Sequence, residues 1–225
     1  MKRIGAATGA AVLAVLAVAA LPPSAGAQSK PAARKASAPA SKPAPAKVDY
    51  AQRFATVCAS CHGANGRSDM AGVPVLAGQP SLYAITQLFL FREGRRNNEA
   101  MTAVGKSLSD DDMRGFADYI GTLPPVPAPP AADVDAARMA KGKALSEQHK
   151  CVFCHGAALD GGQQVPRIGG QKEDYLRASL RGFKDGTRPA YTQAMVSAVS
   201  QVPVEDLDTL AYYAARFSGA PAPAK

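Results

Sequence analysis

Along the chain, apolar positions recur at helical spacing and nowhere alternate strictly. Residues 49–57 and 135–149 read as amphipathic helices leading up to two cysteine pairs. Residues 81–93 and 173–184 set Leu, Tyr and Phe along one face, as a core-facing helix requires. Ser109 followed by Asp110, Asp111 and Asp112 has the form of a helix start, a capping hydroxyl ahead of acids in the first turn. Pro203 opens a matching helix, with Glu205 and Asp206 in its opening turns. No stretch sustains two-residue alternation, so the pattern predicts an all-α fold.

The pattern also repeats. "CASCHG" at 58–63 returns as "CVFCHG" at 151–156, 93 residues on. "VPVLAGQPSLYAITQLFLFREGRR" (73–96) matches "VPRIGGQKEDYLRASLRGFKDGTR" (165–188), and "MTAVGKSLSDDDMRGFADYI" (101–120) matches "MVSAVSQVPVEDLDTLAYYA" (195–214). A period this long indicates a duplicated domain rather than a solenoid. Between the copies, residues 122–133 are Pro-rich and read as a semi-rigid linker. The expected organisation is a first domain over 48–121, a second over 134–218, and a frayed tail at 219–225. Ahead of them, residues 28–47 are Pro, Ala, Ser and Lys, a composition that buries no core and predicts a mobile spacer.

Residues 1–27 have the layout of an export signal: Lys2 and Arg3, an apolar run, then the small-residue site "AGA" at 25–27. The alternative is an uncleaved anchor, because residues 4–21 are mostly apolar. Either way the domains leave the cytoplasm, and the expected location is the periplasm. The formal charge of +8 belongs to the N-terminus. Seven of the 26 bases lie in residues 1–47, which hold no acid, leaving 19 bases against 18 acids elsewhere. The folded part therefore gives no reason to expect nucleic acid, while the basic tail is suited to anionic lipid. With 6% aromatic residues and no Trp, two domains of this size have thin cores that a buried cofactor would fill.

The cysteines supply that cofactor. Cys58, Cys61 and His62, and again Cys151, Cys154 and His155, have the Cys-x-x-Cys-His spacing of covalent c-type haem attachment. Two thiols one helical turn apart can add to the two vinyl groups of one porphyrin, and the adjacent His faces the iron. The rivals explain less. A Cys₄ zinc site leaves both histidines idle, a thioredoxin-like pair wants a βαβ context, and a disulfide across so short a loop is strained.

At these residues the chain resembles the dihaem class I cytochromes c of the cytochrome c4 type. The resemblance covers residues 48–120 and 134–218 and rests on "CASCHG", "PVLAGQ", the Tyr, Gln-Leu, Phe and Gly-x-Arg that follow, "LSDDDM" and "ADYI", with their second-half echo. It implies two tandem class I domains, each a small helical fold wrapped around one covalently bound haem c. It implies a non-enzymatic carrier of single electrons, working with respiratory-chain partners such as a quinol-oxidising complex, a dehydrogenase or a terminal oxidase.

A carrier iron needs a ligand opposite each His. His149, two residues before Cys151, lies on the wrong side, so two bis-His sites are excluded by counting. Of the six methionines, Met101 and Met195 alone occupy equivalent places, and the family's axial Met stands there. Class I cytochromes c also place a proline carbonyl on the His Nδ1–H, which points to Pro74 and Pro166. Gln79, Tyr83, Arg96, Gln171, Tyr175 and Arg188 are candidates to bind haem propionates. Two departures from the family pattern stand out: Tyr50 occupies the usual glycine position of the first helix, and Gly142 lies one residue too far from Cys151. Two other functions share parts of this chemistry, a cytochrome subunit of a membrane dehydrogenase or oxidase, and a dihaem peroxidase with one labile iron ligand.

Overall fold

A computed structural model describes residues 48–127, 134–189 and 192–217. Residues 1–47, read above as an export signal and a spacer, residues 128–133 of the expected linker and residues 218–225 lie outside the described residues. Ten helices are described: α1 Tyr50–Val57, α2 Ala59–His62, α3 Ser81–Arg92, α4 Glu99–Lys106, α5 Asp110–Thr122, α6 Ala136–Gln148, α7 Cys151–His155, α8 Glu173–Asp185, α9 Ala194–Ser200 and α10 Val204–Arg216. Among the described residues the one strand-like feature is an isolated bridge between Gly162 and Val165. None of these helices is long and apolar enough to cross a membrane.

Each domain packs its first long helix across its last. In the first, Phe54 of α1 and Met113, Phe116, Ala117 and Ile120 of α5 form the core with Ala84 of α3. Ser109 caps α5 as expected: its hydroxyl accepts from the Asp112 N–H at 3.1 Å, and Asp112 reaches back to the Ser109 N–H at 3.2 Å. In the second domain the core divides into two clusters, one around Leu159, Leu176, Ala211 and Tyr213, the other around Leu145, Val202, Leu207 and Leu210.

The two family departures have local explanations. Tyr50 lies edge-on to Phe116 at 5.3 Å between ring centroids. It fits because the small residue has moved to the opposite helix: a Cβ at Gly115 of α5 would sit 2.0 Å from the Tyr50 ring. In the second domain the glycine is on the first helix, and a Cβ at Gly142 of α6 would sit 2.3 Å from the Tyr213 Cβ of α10. The extra residue before Cys151 is absorbed by Lys150, which takes a left-handed conformation (φ 57°) between α6 and α7. In the first domain Cys58 alone joins α1 to α2.

Helices α4 and α9 were not among the expected elements. Asn98 makes the difference for α4. Its side chain accepts from the Met101 N–H at 2.9 Å, and Glu99 stands in the first turn.

Candidate functional site

Each cysteine pair spans one helical turn. The His62 N–H reaches the Cys58 carbonyl at 2.9 Å, which sets Cys61 and His62 in α2 one turn on from Cys58, its N-cap. Cys58 and Cys151 are half-buried, Cys61 and Cys154 are exposed, and no disulfide joins them. Burial pushes the Cys58 thiol up to about 11, and it raises Cys151 as well. No three His, Cys, Asp or Glu side chains among the described residues gather to hold a bare metal ion, so the two pairs do not converge on a zinc site.

The histidines are buried, with 6% of each surface exposed. His62 Nδ1 lies 3.0 Å from the Pro74 carbonyl, and His155 Nδ1 lies 2.9 Å from that of Pro166. A carbonyl only accepts, so each Nδ1 carries the proton and each Nε2 keeps a free lone pair. Burial lowers both pKa values, partly offset by the proline carbonyls, which keeps the rings neutral and able to bind a metal. Met101 is the third residue of α4 and Met195 the second of α9; both are half-buried. His149 ends α6 as its C-cap.

The six residues offered to the propionates separate into two sets, and both reach across the domain boundary. Gln79 donates from Nε2 to the Arg167 carbonyl at 2.8 Å, and its Oε1 accepts from the Arg167 N–H at 3.1 Å. Gln171 does the same with Val75, at 2.9 and 2.8 Å. Each glutamine follows a glycine at φ near +70°, Gly78 and Gly170, and this turn aims the amide at the neighbouring domain. A Cβ at Gly78 would meet the Pro125 ring at 2.8 Å. The start of the linker is held there too, its Pro124 and Pro125 carbonyls accepting from Arg67 at 3.2 and 3.1 Å.

The second set is a cluster of two arginines and two tyrosines. Arg96 Nη2 donates to the Tyr175 hydroxyl across the boundary at 2.8 Å, and Arg188 reaches the same oxygen at 3.2 Å, with Tyr83 beside Arg188. Each guanidinium stacks on its own domain's aromatic, Arg96 on Phe91 at 4.5 Å and Arg188 on Phe183 at 4.7 Å. Burial works to raise the Tyr175 phenol, yet the two arginines outweigh it and bring it down to about 8. Neither Arg96 nor Arg188 meets a carboxylate among the described residues. Two partly buried cations without anions, paired thiols on one helical turn and a neutral imidazole with a free Nε2 together fit a haem with its propionates.

Two boundary residues carry no signal in the repeat. Asp174 accepts from the Gly72 N–H at 2.7 Å, and Lys172 bonds to the Met70 carbonyl. The equivalent positions in the first domain are Leu82 and Pro80, so a comparison of the copies singles out neither.

The family model for cytochrome c matches residues 48–124 and 139–213. The chain belongs to the cytochrome c family. Within it, cytochrome c4 of Pseudomonas aeruginosa is 31% identical over 176 residues, 72% of this chain and 84% of that protein. A Thiomonas intermedia protein named thiosulfate dehydrogenase electron acceptor is 37% identical over 153 residues, 64% of this chain and 70% of that one. The crystal structure of reduced recombinant cytochrome c4 from Pseudomonas stutzeri superposes with a TM-score of 0.68 at 25% identity, covering 75% of this chain and 96% of that one. The protein is a dihaem electron-transfer cytochrome of the c4 type, with two haem c groups bound covalently at Cys58 and Cys61 and at Cys151 and Cys154.

Proposed function

We propose that each iron is held by a histidine and a methionine, His62 with Met101 and His155 with Met195. We further propose that the chain is exported and carries single electrons between respiratory donors and acceptors in the periplasm. What supports the ligand assignment most is the matched pair of buried imidazoles, each with Nδ1–H committed to a proline carbonyl and Nε2 free. Bound haem supplies the Fe(III)/Fe(II) couple. The chain's own residues do the rest. Thioether sulfur favours the ferrous state and raises the potential relative to a second histidine. With His62 and Met101, or His155 and Met195, holding the iron, no position would be left for a substrate, as suits a carrier rather than a peroxidase. Arg96 and Arg188, with Tyr83 and Tyr175 beside them, would hold the propionates and neutralise their charge.

Replacing Met101 or Met195 with Ala should lower the potential of one haem and let carbon monoxide bind that iron. An unchanged two-step redox titration with no carbon monoxide difference spectrum would overturn the assignment. A more specific donor is suggested by the Thiomonas intermedia relative, whose name makes it an electron acceptor of thiosulfate dehydrogenase. We propose a dehydrogenase of that type as the donor. Stopped-flow mixing with a thiosulfate dehydrogenase and thiosulfate should reduce both haems at a rate proportional to enzyme; no reduction above the enzyme-free control refutes it. Retention in the membrane fraction would instead identify an uncleaved anchor and favour a subunit of a membrane complex.

A further inference from the structure

The carbonyl that meets each proximal histidine belongs to a peptide group gripped by the other domain. The Pro74 carbonyl, bonded to His62 Nδ1, shares one planar peptide unit with the Val75 N–H. That N–H donates to Oε1 of Gln171, in the second domain, at 2.8 Å. The same chain of bonds runs the other way. The Pro166 carbonyl, bonded to His155 Nδ1, shares its peptide with the Arg167 N–H, which donates to Oε1 of Gln79 in the first domain at 3.1 Å. Both glutamines are buried, with 5% of their surface exposed.

We infer that Gln171 and Gln79 are positioning residues that tune the opposite domain's haem through its proximal histidine. The inference rests on His62 and His155 being iron ligands. Accepting from a peptide N–H fixes the peptide plane and enlarges its dipole, which makes the carbonyl a better acceptor. A better acceptor draws the Nδ1 proton, gives the imidazole more anionic character and strengthens it as a donor to ferric iron. Loss of the glutamine bond therefore weakens that donor, and the potential of the opposite haem rises. Gln171 Oε1 is the nearer acceptor but also accepts from the Lys172 N–H at 3.0 Å, and the segment leading to Pro74 is held again by Asp174 at Gly72 and by Lys172 at Met70. The second domain's segment has the glutamine grip without those two partners, since Leu82 and Pro80 stand at the equivalent places.

The test uses the holoprotein with each haem assigned by nuclear magnetic resonance of its axial ligands. Gln171→Met keeps the volume and removes the two bonds to Val75, together with the one that Oε1 accepts from the Lys172 N–H. It should raise the first-domain potential, speed solvent exchange of the His62 Nδ1 proton, and leave the second-domain haem unmoved. Gln79→Met should do the reverse. Gln171→Glu keeps an acceptor for the Val75 N–H and should not raise the first-domain potential, which separates the bond from loss of packing. Equal shifts at both haems, a shift at the haem of the substituted domain, no shift, or a Glu variant that behaves like Met would each overturn the inference. Wild-type spectra test histidine ligation independently, so a silent glutamine variant over intact ligation sinks this inference alone.

Discussion

Gly142→Ala should destabilise the second domain, although the same exchange inside an ordinary helix is stabilising. The new methyl would sit 2.3 Å from the Tyr213 Cβ, 3.0 Å from its Cγ and 3.1 Å from the Thr209 carbonyl oxygen. Carbon atoms rest at about 3.5–4.0 Å, so at the crossing α6 and α10 must part by about 1 Å or more. Both obstacles belong to the framework of α10, a Cβ and a main-chain oxygen, and no rotamer change clears them. Overpacking of this kind costs about 1–3 kcal/mol, and the helix-propensity gain of Ala over Gly returns about 1. The net loss is up to about 2 kcal/mol, a factor of up to roughly 30 in the folded-to-unfolded ratio. Gly115→Ala is the comparison. There the obstacle is the Tyr50 ring, which can swing outward at the expense of its edge contact with Phe116 and its bond to the Asp111 carbonyl at 3.0 Å. Those two contacts together are worth about 1–3 kcal/mol before the same offset, and the ring keeps part of its contact after moving, so the loss is the smaller of the two. Denaturant unfolding of both holoproteins, followed by circular dichroism and haem absorbance, reads the midpoints. A Gly142→Ala midpoint at or above that of the wild type would refute the account of the crossing.

Two other outcomes follow from the sites and the boundary. Replacing Cys58 and Cys61 together with Ala should halve the covalent haem, leaving one porphyrin mass per chain by mass spectrometry; two retained haems would contradict attachment at that pair. Asp174 has its pKa lowered, chiefly by the Gly72 N–H, against the opposing effect of burial. A depressed carboxylate pKa stabilises above the unfolded value of about 4 and loses that contribution as pH falls through the folded value. Asp174→Asn should therefore flatten the acid side of the stability–pH profile below about pH 4; acid unfolding identical to that of the wild type would show that the Gly72 contact contributes nothing.

The repeat, the attachment motif and the long helices were legible in the sequence because each is local. Cys-x-x-Cys-His needs one helical turn, and the Ser109 cap needs four residues. The proline carbonyls were implied by the resemblance to class I cytochromes c, and the structure puts Pro74 and Pro166 within hydrogen-bond range of the two imidazoles. The short helices α4 and α9 were hidden because seven or eight residues carry too little apolar periodicity to outweigh their polar surroundings. Gln79 and Gln171 were recognisable as paired polar residues next to a glycine, but not as bonds between domains. A repeat read along one chain says which residues correspond, and nothing about which copy they face. Lys172 and Asp174 were invisible for the opposite reason, since they lack counterparts.

The reciprocal glutamine grip has a consequence for how such a molecule can be assembled. Residue 79 holds the backbone at 167 while 171 holds it at 75, so the same patch serves on both sides. That is an isologous contact, the kind two identical subunits make about a two-fold axis. It needs no covalent tether: a single-haem protein bearing one such hook and one such groove could satisfy both with a second copy of itself, and joining the genes end to end would then preserve an existing dimer rather than create a new surface.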